Sequence, residues 1–375
     1  MIRPTTVPAT VYVSGTGLVS EAAQNFEQVA ELSPDDGHGE EQAGMRFGAA
    51  VATAGTPLAA GYESSDGMVV AVSAPEADMV TSGATYIQAG AVYIYHQSDV
   101  QDWQLQRVVK PLDLKTESSY SQWFLGQNLA ASGRLLVMSA RISGEAFGRQ
   151  HGHRGRVFAL RRNGADTWGE PAEISSAAGL QPLLFGAALD AMDSSLGSAG
   201  NRMTLVVGEP GRDMVHTFVS YLDRDEHEWM EDSVIDGTAI AGDAALQGSS
   251  PHFGSSLAIS QHRPFQKEML VVGAVNDQQM GNMVGSGAVY VFMRQGDSTW
   301  RLDSKLLHPG LGHAASKLGT HVALEGREGG LHRRDLIAAA APLADQHNRS
   351  NTGEQWDVSD AGEASLSDPC LIRSS

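Results

Sequence analysis

Between Pro251 and Phe292 the chain reads PHFGSSLAIS (251–260), then EMLVVGAV (268–275), then GSGAVYVF (285–292), with polar or glycine-rich residues between the three segments. Short apolar segments of this kind, separated by glycine and polar residues, predict β-strands joined by turns. Trp300 opens a fourth, alternating segment, so the stretch predicts four strands in succession.

The same order recurs outward in both directions. Phe47-Gly48 opens a unit that continues with MVVAVSAP (68–75), GAVYIYH (90–96) and WQLQRVVKP (103–111). Phe124-Leu125-Gly126 opens a second, followed by RLLVMSAR (134–141), GRVFAL (155–160) and Trp168. Phe185-Gly186 opens a third, with TLVVGEP (204–210), VHTFVSY (215–221) and Trp229. After the stretch first quoted, Leu318-Gly319 opens a fifth, followed by DLIAAAAP (335–342). The opening glycines Gly48, Gly126, Gly186, Gly254 and Gly319 stand 78, 60, 68 and 65 residues apart. A second marker keeps the same phase: Tyr93 to Trp103, Phe158 to Trp168, Phe218 to Trp229 and Tyr290 to Trp300 span 10, 10, 11 and 10 residues.

Four strands per repeat predict an all-β fold, a β-propeller of four-stranded antiparallel blades. A lone four-stranded sheet buries neither face, whereas one packed between two neighbours buries both. That accounts for fully apolar second strands such as Leu270–Ala274. The opening phenylalanines are assigned to the gaps between blades, and the adjacent glycines to backbone angles or close approaches closed to other residues. At the ends, Ala9–Val13 with Phe26–Leu32 match third and fourth strands, and Leu318–Leu324 with Asp335–Ala341 match first and second. Joined, they would form a composite closing blade, the fifth; the rival is a fragment of a seven-bladed propeller. The propeller is expected over 1–344. The tail 345–375 carries six acids against two arginines and few large apolar side chains, and is expected to be disordered.

Bulk properties bound the function. The chain has 375 residues, 42% hydrophobic and 19% charged, enough apolar material for a sizeable core. Its 42 glycines without a collagen-like period suit many turns. A formal net charge of −18 repels phosphate backbones and anionic lipids, so nucleic acid is not an expected partner. No run approaches the roughly 20 apolar residues of a membrane span, and none is expected to insert. The first residues, MIRPTTVPATVYV, show no signal-peptide pattern. The lone Cys370 permits no internal disulfide and does not fix the compartment.

The segments FGSSLAIS, MLVVGAV and GAVYVF resemble the FG-GAP repeat, the blade of integrin α-subunit propellers and of many surface proteins. The FG element stands at Phe47-Gly48, Phe185-Gly186 and Phe253-Gly254. The GAP element stands at Ser73-Ala74-Pro75, Gly208-Glu209-Pro210, Gly273-Ala274-Val275 and Ala340-Ala341-Pro342. The resemblance covers Phe47 to Pro342. It implies a non-catalytic interaction scaffold, as in cell adhesion, whose loops hold a protein or glycan ligand, and an extracellular or cell-surface location.

The family often carries a calcium loop between its first two strands, with oxygen ligands alternating around a glycine. Carried over residue by residue, that loop keeps Asp190, Asp193, Ser195 and Asn201 around Gly197 in the third repeat, and Glu63 and Asp66 beside Gly67 in the first. The other loops hold no acid or are basic, as in ISQHRPFQKEM (259–269). No cofactor is expected, and calcium at one such loop at most. The fold is expected not to depend on it.

Other constellations read as ordinary surface. His151 and His153 are flanked by Arg149, Arg154 and Arg156, which repel a cation. Asp223–Glu228 is a charged hairpin tip. Gly285-Ser286-Gly287 lacks the following helix of a nucleophile elbow. Asn348-Arg349-Ser350 is a glycosylation sequon only along a secretory route. The second reading is an enzyme, a polysaccharide-directed hydrolase or lyase with its site at the channel mouth. That chemistry needs paired carboxylates. Several inward-facing Asp, Glu, His or Arg side chains around one channel mouth would favour the enzyme; a channel lined by Gly, Ala and Ser would favour the scaffold.

Overall fold

The computed structural model describes residues 9–14, 26–34, 44–55, 67–99, 102–114, 120–143, 154–164, 167–176, 183–194, 202–225, 228–241, 250–262, 267–277, 285–295, 299–307, 316–325, 336–342, 346–349, 355–358 and 363–367. The chain divides into two compact units, Met1–His151 with Phe158–Glu173, and Gly152–Val157 with Ile174–Ser375.

In the first unit β1 (Ala9–Ser14) and β2 (Phe26–Leu32) form an antiparallel hairpin. The first blade starts with β3 (Val51–Ala54) and β4 (Val69–Ala74). A small hairpin of β5 (Met79–Val80) and β6 (Thr85–Tyr86) interrupts it before β7 (Ala91–Asp99) and β8 (Asp102–Val109). The order across this sheet is β3-β4-β7-β8. A 3₁₀ turn, Pro111–Leu114, leads to the second blade. That blade is built of β9 (Leu125–Ser132), β10 (Leu135–Ile142), β11 (Arg154–Gly164) and β12 (Thr167–Trp168), with β13 (Ala172–Ile174) also on β11. The boundary between the units runs through β11.

The second unit holds the third blade, β14 (Ala188–Asp193), β15 (Arg202–Glu209), β16 (Met214–Tyr221) and β17 (Met230–Asp236), closed by the short helix α1 (Gly237–Ala241). The fourth blade is β18 (Phe253–His262), β19 (Lys267–Ala274), β20 (Ala288–Gln295) and β21 (Thr299–Leu306). β22 (His321–Glu325) and β23 (Leu336–Ala341) begin a further sheet. β24 (Gln346–Arg349) and β25 (Gln355–Val358) pair with each other, and β26 (Glu363–Ser367) pairs with β23. The fold is thus the expected all-β propeller type, built from four-stranded antiparallel blades.

The second strands show why the repeat needs neighbours. Val69 and Ala71 on β4 point into one core cluster with Leu136, Met138 and Phe158, while Val70, Val72 and Ala74 point into another with Leu32, Met45 and Tyr95. β19 repeats the pattern, with Leu270 and Val272 on one side and Met269 and Val271 on the other. Successive strand residues face opposite ways, so a sheet covered on both faces needs an unbroken apolar run.

The five opening glycines all adopt positive φ, from 82° at Gly186 to 87° at Gly48, Gly126 and Gly319. Two residues before each stands a non-glycine residue that is also left-handed: Arg46, Phe124, Leu184, His252 and Lys317, with φ between 46° and 62°. At Arg46, Leu184 and Lys317 the carbonyl of the left-handed residue accepts from the amide three residues on, as from Ala187 to Leu184 at 3.0 Å. The glycine is required by proximity as well as angle. A Cβ on Gly126 would lie 2.7 Å from Ser73 Cβ, and one on Gly254 would lie 2.8 Å from the Met214 carbonyl oxygen.

Two expectations at the chain ends are corrected. Among the described residues Ala9–Val13 pairs with β2 and not with the Asp335–Ala341 segment, whose strand instead lies between β22 and β26. The expected composite closing blade is therefore not formed. The apolar strand LIAAAA needs a neighbour, and Glu363–Ser367 closes a loop of only about 20 residues to reach it, far cheaper in entropy than joining opposite ends of the chain. Within 345–375, expected to be a disordered tail, the described residues 346–349, 355–358 and 363–367 are strands, the last on β23 and the first two on each other.

Candidate functional site

In an antiparallel meander the connection between second and third strands lies at the same end as the start of the first strand and the finish of the fourth. At that end of the first blade, the 75–90 connection is far longer than its counterpart at 210–213 in the third blade, and it folds as the β5–β6 hairpin. Thr81 closes the hairpin, its hydroxyl accepting from the Ala84 amide at 3.1 Å. Asp78 Oδ1 accepts from the Gln88 amide at 2.8 Å, and the Ile87 carbonyl accepts from the Gln122 amide at 2.8 Å. Below it, Tyr86, Tyr120 and Trp123 meet edge to face at 5.6 and 5.4 Å, and Trp123 stacks on Phe158 in the core. The hairpin is thereby anchored, not draped.

This anchored end is apolar. Val80 (57% exposed), Ile87 (52%) and Leu112 (52%) stand there in the first unit; within the second unit, Leu183 (41%) precedes a first strand and Leu307 (45%) follows a fourth. They are half of the exposed large hydrophobic residues among those described, whereas Met230, Val234 and Leu302 lie along fourth strands. Leu112 projects from the 3₁₀ turn while Leu114 is buried, the turn held by Asp113 accepting from the Lys110 amide at 2.7 Å. At the opposite end the turn after β16 is charged, with an exposed Arg224–Glu228 pair at 2.9 Å, as its sequence implied.

Leu183 is held by an unusual group. Its amide donates to Glu209 Oε1 at 2.8 Å, and Glu209 Oε2 lies 3.0 Å from Nε2 of His216. The other ring nitrogen of His216, Nδ1, lies 2.8 Å from Glu231 Oε1. Arg212 approaches Glu209 Oε1 at 3.4 Å. Burial makes protonation of His216 harder, but the hydrogen bonds and charges of the two glutamates outweigh it and raise its pKa above the ordinary value of 6.5.

The expected calcium ligands are placed differently from the family pattern. Asp190 lies within β14 opposite Val206, with Oδ2 accepting from the Ile259 amide at 2.7 Å and Oδ1 from the Ala191 amide at 2.8 Å. Its carboxylate is thus committed to tying β14 to β18. Burial, partly offset by these two bonds, pushes its pKa up to about 6. Asp193 ends the strand opposite Met203, an odd number of residues from Asp190 and so on the other face. The structure does not bring these two carboxylates to one cation. Ser195, Asn201, Glu63 and Asp66 lie outside the described residues, as do His151 and His153. Among the described residues no group of three or more His, Cys, Asp or Glu side chains is placed to hold a metal. The first strands VATA and LGQNLAAS carry no charged side chain, whereas ALDAMD carries Asp190 and Asp193.

The apolar end went unseen in the sequence because single exposed aliphatics look like any others; the length of the 75–90 connection was the available signal. No helix among the described residues is long and apolar enough to cross a membrane.

No protein-family model and no curated protein matches the chain. Solved structures similar to it include an exo-β-1,3-galactanase of Phanerochaete chrysosporium, 11% identical with a TM-score of 0.36 over 73% of this chain and 54% of that one. A β-fructofuranosidase of Bombyx mori is 11% identical with a TM-score of 0.35 over 73% and 52%. A periplasmic gluconolactonase of Pseudomonas aeruginosa is 14% identical with a TM-score of 0.42 over 84% and 71%. The chain spans about half the length of the first two, 54% and 52%. Likeness at this level bears on neither family nor activity.

Proposed function

We propose that this chain is a binding scaffold of the FG-GAP type, taking a protein or glycan ligand at the end of the first blade that carries the β5–β6 hairpin. The observation that carries it is the exposure of Val80, Ile87 and Leu112 on the anchored hairpin and turn of the first unit. Exposed aliphatic groups on anchored turns are what an interaction surface requires, and soluble chains otherwise keep such groups scattered. The test is a glycan array and a protein-binding screen with the whole chain, repeated with Val80→Asp, Ile87→Asp and Leu112→Asp combined. These side chains are exposed, so thermal unfolding should be unchanged while capture falls at least about tenfold, three apolar contacts together being worth more than about 1.4 kcal/mol. Undiminished capture by the variant overturns the reading.

The second reading is a polysaccharide-directed hydrolase or lyase. The specific observation favouring it is Asp190, a carboxyl raised to about 6 on a first strand, the protonation behaviour of a general acid. Its two oxygens are already held by backbone amides, which places this reading second. Release of reducing sugar from a β-1,3-linked galactan, abolished by Asp190→Asn, would favour it over the scaffold.

A further inference from the structure

The repeats serve as controls for one another, and the third blade departs from the others at three matched positions. Glu209 ends its second strand where the first and fourth blades have Ala74 and Ala274. His216 stands in its third strand where they have Tyr93 and Tyr290, each packed edge to face on the opening phenylalanine at 5.4 and 5.5 Å; Phe185 packs on His216 in the same way at 5.4 Å. Glu231 opposes Phe218 in the fourth strand where Leu105 opposes Tyr95 and Leu302 opposes Phe292. Alanine, tyrosine and leucine have been exchanged for glutamate, histidine and glutamate, and the three side chains meet.

Packing does not explain the exchange. Glu209 and His216 are almost wholly buried, and burying titratable groups in place of well-packed apolar ones is neutral to unfavourable for stability. Geometry gives the group a different property. Both imidazole nitrogens face a carboxylate oxygen, at 3.0 and 2.8 Å. Only the imidazolium donates from both nitrogens; a neutral ring donates from one and turns a lone pair toward the other carboxylate. The charged groups around the ring are Glu209 on β15, Glu231 on β17 and, behind Glu209, Arg212 on the turn; Phe185 and Phe218 cover the ring itself.

We propose that Glu209, His216 and Glu231 form a pH-operated latch on the turn that opens the third blade. With His216 protonated, Glu209 is held between the ring and the Leu183 amide, and the turn from Leu183 to Gly186 is fixed. When His216 loses its proton, one carboxylate is left buried against a lone pair, Glu209 turns away, and the Leu183 amide is released. The raised pKa gives the sign: the latch is closed below about 6.5, the unfolded value, and opens as pH rises through the higher folded value. The latch does not depend on the function proposed above; only its consequence, control of how Leu183 is presented to a ligand, rests on that reading.

The test is amide hydrogen exchange of the whole chain, corrected for the intrinsic pH dependence of exchange, on peptides covering 181–190, compared at pH 6 and pH 9. Protection of the Leu183 amide should fall by about tenfold or more, one pH unit of proton linkage corresponding to a factor of ten. In His216→Gln, which bonds but does not titrate, protection should be the same at both values. In Glu231→Gln the fall should occur at lower pH, which keeps the test alive if His216→Gln does not fold. Equal wild-type protection at both pH values, or a fall that persists in His216→Gln, overturns the latch. If the exchange result holds but ligand capture is indifferent to pH, the latch stands and a role for Leu183 in ligand binding fails.

Discussion

Arg294 joins the third and fourth blades, and replacing it with methionine should reveal how much of their union is ionic. Its guanidinium donates to Glu268 Oε2 at 2.8 Å across β19 and β20, and to Asp232 Oδ2 at 2.5 Å on β17 of the neighbouring blade. It also lies over the ring of Trp300, 5.4 Å from the centroid. Glu268 is further bonded to Arg202 and Thr204 on β15. Arginine, glutamate and aspartate are all buried here, at 4%, 6% and 8% side-chain exposure. Methionine keeps most of the volume but leaves Asp232 and Glu268 short of a cation. Removing one partner of a buried ion network costs about 3–5 kcal/mol, because the remaining charges stay desolvated. Since Arg202 still serves Glu268, the expected loss is at the lower end, about 3 kcal/mol. Urea unfolding followed by tryptophan fluorescence measures it. Adding Asp232→Asn and Glu268→Gln should restore at least half, since the stranded charges are then gone. A loss below about 1 kcal/mol for Arg294→Met, or no recovery in the triple variant, would refute the claim that these charges are desolvated.

Three further outcomes follow from the geometry. Asp190 has a folded pKa of about 6 against an ordinary 3.8, so its contribution to stability is fully present below about 3.8 and lost as pH rises through about 6. The loss is roughly 3 kcal/mol between pH 3.5 and 7, and Asp190→Asn should flatten that part of a denaturation profile. At the fourth opening turn, Gly254→Ala should destabilise by about 2 kcal/mol or more, through positive φ and collision with the Met214 carbonyl. His252→Gly, two residues earlier at φ 54°, should instead gain about 0.5 kcal/mol; both are read by urea unfolding. Finally, thermal unfolding in chelator and in millimolar calcium should differ by no more than a few degrees, since a site with two or three protein oxygens binds too weakly to contribute much. A shift of many degrees would contradict this.

The amino-acid sequence by itself determined the blade. Its period, its second strands apolar on both sides and its opening glycines are local necessities of a sheet packed between two others, and each repeat states them again. It also carried, unread, the swap of Ala, Tyr and Leu for Glu209, His216 and Glu231, visible only once strand register shows that the three positions meet. What tertiary structure alone decided are the matters of distance along the chain. Whether Asp190 serves a loop or ties β14 to β18 depends on which backbone amide lies across from it, and Ile259 is 69 residues away. Whether β23 pairs with the first strand or with Glu363–Ser367 depends on competition between partners, which a repeat pattern cannot rank. The left-handed residues before each opening glycine belong to the same class: Arg46, Phe124, Leu184, His252 and Lys317 share no side-chain chemistry, and only the turn that the packed blades impose makes them equivalent.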